Sequence, residues 1–137
     1  MRLPGTILLS AFCLYASLQR VDGQVAGLHR ELYFNLSREG FSLARLTNHP
    51  SFLAGRPDQT NIVTGGFQTE AQRGDDYGQR LRGWIMAPTT GNYTFWIASD
   101  DQSALYLSTD EQPHNASIIA EVFNWTDSRQ WDLEPNQ

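Results

Sequence analysis

The chain has 137 residues and a formal charge of −5, from 15 acidic and 10 basic side chains, enough for one domain. An acidic surface without a basic run argues against nucleic acid or anionic membrane as partners. The only cysteine is Cys13, so no disulfide staples the fold.

In chain order, Arg2 is followed by an apolar run over residues 7–18 and then by Val21, Asp22 and Gly23. A charged start, a short apolar run and a small residue at the cut describe a secretory leader. Cleavage is expected after Gly23, leaving a domain over residues 24–137 with a charge of −6, because Arg2, Arg20 and Asp22 depart. The run is too short to span a membrane, which takes roughly 20 apolar residues. Phe12 is a poor fit to a lipoprotein cleavage box, so no lipid anchor is expected.

Beyond the leader, Gly, Pro, Asn and Asp recur between short apolar runs, the punctuation of an all-β domain. Residues 28–36 alternate Leu28, Leu32 and Phe34 against His29, Glu31 and Tyr33, which predicts a first strand. Leu43 and Leu46 predict one helical turn, and Gly55 and Pro57 a loop after Pro50. Residues 79–86 place Leu81, Gly83 and Ile85 on one face and Arg80, Arg82 and Trp84 on the other. Residues 93–99 are apolar on both faces and predict a central strand. Strands around Leu105 and Leu107 and over residues 118–123 follow, making five or six in an antiparallel sandwich or barrel.

Asp100 and Asp101 fall where two apolar runs meet. Successive side chains of a strand leave opposite faces, so the two carboxylates converge only through a tight turn or a cis peptide. Held about 4 Å apart at an effective dielectric near 20, they repel by roughly 4 kcal/mol. A divalent cation would offset that cost, and calcium suits hard oxygen donors. A solvated polar turn is the plainer alternative.

The run "GDDYGQRLRGWIMAPTTGNYTFWIASDDQSALYLS" resembles the PA14 domain, as do "IIAEVFNWTDSRQWD" and "LARLTNHPSFLAGRPD". The likeness covers residues 27–132 and implies a β-rich, barrel-like sandwich. In the family's lectin members, paired aspartates joined by a cis peptide hold a calcium ion that ligates sugar hydroxyls, and Asp100 and Asp101 fall on that pair. The family continues with a strand, a glycine-rich loop and a closing strand. The likeness is therefore to its first three-quarters, which suggests a fragment of a longer protein or a truncated gene.

The resemblance implies a secreted carbohydrate-binding accessory module, calcium as its cofactor and glycans as partners. A structural or protein-interaction module without sugar binding is the rival. Trp96, Trp125 and Trp131 could stack on sugar rings, although core and rim packing is the commoner use of tryptophan. Asp75 and Asp76 read as a turn, and Arg80 and Arg82 beside Trp84 as packing. His29, His49 and His114 lack zinc spacing. No spacing marks a nucleophile, so no catalytic residue is assigned. Asn35, Asn92, Asn115 and Asn124 each begin an N-glycosylation triplet, which matters for eukaryotic secretion.

Overall fold

The computed structural model describes residues 2–9, 27–36, 42–70 and 74–137. Among the described residues are six strands: β1 (Arg2–Leu9), β2 (Leu28–Tyr33), β3 (Gln59–Val63), β4 (Gly78–Met86), β5 (Ser103–Leu107) and β6 (Ser117–Val122). Two helical turns, α1 (Ala44–Thr47) and α2 (Pro50–Leu53), lie between β2 and β3. The strands form one antiparallel sheet in the order β3-β2-β4-β1-β5-β6. The chain is all-β, as the sequence indicates, but the sheet is open, with β3 and β6 at its edges.

Period-2 alternation decides which side chains meet. On one face Leu28, Leu81, Leu105, Ala120 and Val122 form the main core, covered by Phe67 and Ile97 from irregular segments. Arg30 also lies on this face, 1% exposed. Its charge is accommodated because Nε donates to Gln79 Oε1 at 2.7 Å and Nη1 to Glu70 Oε2 at 2.7 Å. On the other face Tyr33, Leu36 and Leu46 pack with Leu43, Phe52 and Tyr106. Pro50 opens α2, where its missing N–H costs nothing.

Glu31 organises that second face. The register sets Glu31 opposite Arg80, and its side chain is only 4% exposed. It accepts hydrogen bonds from Tyr33 Oη at 2.9 Å, from Arg80 Nε at 2.6 Å and from Arg82 Nη2. Burial raises its pKa, but the Tyr33 hydrogen bond and the Arg80 and Arg82 charges outweigh burial and hold it below the ordinary 4.5. Burial and the Glu31 carboxylate push Tyr33 up to about 12. The Arg80 guanidinium also lies 4.8 Å over the Phe52 ring.

Four segments depart from the sequence expectation, the first being α2, which forms at Pro50–Leu53 where a loop was expected. Residues 59–63 form a strand where a loop was expected, because edge strand β3 is mostly exposed and shows little apolar alternation. Residues 93–99 are not a central strand. Ile97 and Ala98 are fully buried, but the segment joins no ladder and is held singly, for instance by Ile97 N–H donating to Gln137 O at 3.3 Å. Arg2–Leu9, read as part of the leader, pairs between β4 and β5. The expected cut after Gly23 lies outside the described residues.

Replacing Glu31 by Ala leaves the buried Tyr33 hydroxyl without its acceptor and two partly exposed arginines without their counter-charge, and should cost about 1–3 kcal/mol in urea unfolding. Because the folded-state pKa is lowered, the Glu31 contribution is present above pH 4.5 and is lost as pH falls through the folded value. Glu31→Gln should therefore flatten the acid limb of the stability profile. An unchanged acid limb would contradict this assignment.

Candidate functional site

The candidate site is the turn from Ser99 to Gln102 together with the loop over residues 123–126. The two are tied by hydrogen bonds that sequence reading missed. Ser99 N–H donates to Thr126 Oγ1 at 2.9 Å, and Thr126 N–H donates back to Ser99 O at 2.7 Å. Gln102 adds a second tie, its Nε2 donating to Phe123 O at 2.7 Å while its Oε1 accepts from Leu43 N–H at 2.9 Å. The Glu134 carboxylate accepts from the N–H groups of Phe123 and Asn124. The loop is thereby held from both sides. Thr126 is 3% exposed, so the Asn124 triplet has a structural use for its threonine.

Of the two backbone routes left open by the sequence, a tight turn and a cis peptide, the turn is the one present, and the like-charge cost between the acids remains. Among the described residues no cis peptide occurs, and Asp101 instead adopts a left-handed φ of 61°, which Asp and Asn tolerate better than most residues. The Ser99 hydroxyl donates to Asp101 O at 2.7 Å and lies 2.6 Å from the Ser103 hydroxyl. Asp100 is exposed and Asp101 half-buried. Burial first, and then the Asp100 charge, raise the Asp101 pKa, while Arg45 partly offsets them. The Arg45 guanidinium also stands 3.8 Å from Asp76 Oδ1, and Asp76 shares the left-handed conformation, at φ 55°. The second acidic pair is thus a turn, as expected, tied by charge to α1.

Two carboxylates are hard oxygen donors of the kind calcium takes. They would supply only part of the six to eight oxygens of a calcium shell, and no group of three or more His, Cys, Asp or Glu gathers among the described residues. The remaining ligands would have to be backbone carbonyls, water or hydroxyls of a bound partner. Around the turn the surface is aromatic, with Phe123 46% and Trp125 54% exposed. Trp96 is 49% exposed on the extended segment leading into the turn. Elsewhere, Thr64, Gly65, Gln68, Thr69, Glu70 and Arg129 line an open polar cleft of about 330 Å³, which the sequence did not signal because loop packing alone forms it.

No family model matches the chain, and no solved structure does. Among curated proteins, fibrocystin of Canis lupus familiaris is 39% identical over 70 residues, covering 48% of this chain and 2% of fibrocystin. Fibrocystin of Mus musculus is 37% identical over 71 residues, covering 49% of this chain and 2% of its own length. The mouse N-acetyl-beta-glucosaminyl-glycoprotein 4-beta-N-acetylgalactosaminyltransferase 1 is 43% identical over 47 residues, 34% of this chain and 4% of that protein. The chain therefore corresponds to a few per cent of the length of these curated relatives, which are much larger proteins.

A raised carboxylate pKa means that ionised Asp101 costs stability above its folded-state value, and the cost fades as pH falls through it. In chelator, Asp101→Asn should raise the thermal midpoint at pH 7 and narrow its advantage over the wild type toward pH 4. A midpoint that falls at pH 7 would contradict the unfavourable placement of this charge.

Proposed function

We propose that this chain is a non-catalytic β module of a larger extracellular or cell-surface protein, which binds glycans at the turn of Asp100 and Asp101 with calcium as the bridging ion. The observation that carries this reading is the splice between turn and loop, which fixes two acids beside exposed Phe123 and Trp125. Sugars present both features a partner needs here, hydroxyls for a hard anionic or cationic centre and apolar ring faces for indole. The PA14 likeness of residues 27–132 supports the same reading. So does partial similarity to proteins of far greater length, one of them named for transferring a sugar to glycoproteins.

When bound, calcium would supply a charge that both carboxylates neutralise and open positions for hydroxyl oxygens. The chain's own part is to fix the backbone of the turn, where the Ser99 hydroxyl donates to the Asp101 carbonyl and meets the Ser103 hydroxyl, and to offer exposed aromatic side chains on the loop tied to it. Contacts of this size give weak single-site binding, on the order of millimolar, with multivalency supplying retention.

A second reading has its own observation. Arg45 already offsets charge at Asp101 and the linkage is trans, which favours a scaffold module that binds no sugar. Retention on a glycan array in calcium, lost with chelator and in Asp101→Asn, is the outcome expected of the glycan reading. Array silence together with a melting curve indifferent to calcium would establish the scaffold reading instead.

A further inference from the structure

β1 lies between β4 and β5, with Leu9 opposite both Gln79 and Ser103 and position 7 opposite both Leu81 and Leu105. The same stretch belongs to the leader pattern, and a leader that is removed cannot remain in the sheet. Its departure would leave facing rows of backbone N–H and C=O groups on β4 and β5 without partners, a costly state for buried backbone. Residues 93–99 lie in the chain between these two strands and join no ladder.

That segment already stands beside the place it would take. Ser99 Oγ is 2.6 Å from Ser103 Oγ, next to the first residue of β5. Ile97 shares the main core with Leu81 and Leu105, and Phe95 packs against them. Setting Ser99 where Leu9 now pairs, opposite Gln79 and Ser103, brings the rest into a consistent register. Ile97 then faces Leu81 and Leu105, Trp96 faces Arg82 and Tyr106, and Phe95 faces Gly83 and Leu107. Alternation puts Tyr93, Phe95 and Ile97 together on the core face. Residues 87–91 and 100–102 remain as loops of five and three residues, within the usual range for hairpins. A three-residue loop takes one left-handed residue, and Asp101 at φ 61° supplies it. Ser99, tied to Thr126, is the hinge. The move costs the two bonds between Ile97 and Gln137, at 3.3 and 2.9 Å, and gains a ladder on each side.

We propose that residues 93–99 replace β1 between β4 and β5 when the leader is removed, so that processing makes the Asp100 and Asp101 turn the tip of a hairpin with both arms in the sheet. The leader thus holds the domain in a precursor form, in which the arm before the turn lies off the sheet with Tyr93 and Trp96 about half exposed. As regulation of the candidate site, the exchange rests on the glycan reading. The exchange itself rests only on the leader reading and needs neither calcium nor sugar.

The test compares the full chain, purified with its leader, with the processed protein recovered from the secretory route, both in chelator and without sugar. Hydrogen exchange of the amides of residues 93–98 is followed in each. They should exchange at least about a hundredfold more slowly in the processed protein, while β4 and β5 keep their protection. Thr94→Pro supplies a second readout, since proline removes an N–H that only a ladder uses. It should leave the melting midpoint of the full chain unchanged and lower that of the processed protein by at least about 5 °C. The proposal is overturned if these amides exchange alike in both forms, if Thr94→Pro acts equally on both, or if N-terminal sequencing finds residues 2–9 retained after secretion. Glycan-array silence would sink the sugar reading and leave each of these readouts unmoved.

Discussion

The reciprocal hydrogen bonds between Ser99 and Thr126 hold the candidate site together. Without them, the acidic turn and the aromatic loop are two unrelated surface features, separated by β5 and β6. With them, Thr126 and Ser99 are both buried, and the loop enters the domain at a fixed height beside Asp100 and Asp101. Buried polar groups need such partners, so the splice serves packing and presentation together. Gln102 repeats the device, reaching Phe123 on one side and Leu43 on the other.

Behind this end of the molecule, charge is placed deliberately within the sheet. Glu31 gathers Tyr33, Arg80 and Arg82 on one face, and Arg30 is neutralised by Glu70 on the other. Breaking such a buried network by removing one partner costs more than replacing the whole of it with apolar side chains, because a lone charge is left behind. Gly83 shows how tight the strand register is: a Cβ there would come within 2.4 Å of Leu28 Cδ2. The sheet can therefore carry a site at one end without that end having to be rigid on its own account.

Much of the fold was legible because burial leaves a period in the sequence. β4 follows it most clearly, β2, β5 and β6 were legible from their apolar runs, and α1 follows Leu43 and Leu46, whereas α2 falls where a loop was expected. Edge strand β3 left no such trace, since "QTNIV" faces water almost throughout. Residues 93–99 misled in the opposite direction: they are apolar on both faces, but only Ile97, Ala98 and Ser99 are buried, and the segment joins no ladder. Arg2–Leu9 has two meanings at once, since apolar residues that suit a leader also suit a strand. At the site, the pair of acids was visible, but its backbone solution was not. The left-handed Asp101 sits among Ser99, Ser103 and Arg45, which come together only in the folded chain. Thr126 was visible as part of a glycosylation triplet and not as a tether.

The most direct measurement is a backbone NMR titration of the folded protein with calcium and then with a multivalent glycoprotein. If the spliced turn and loop form one binding surface, the amides of residues 99–102 and 123–126 shift together, first with the ion and further with the sugar. Shifts confined to other parts of the sheet, or no shift at either group of amides, would contradict it.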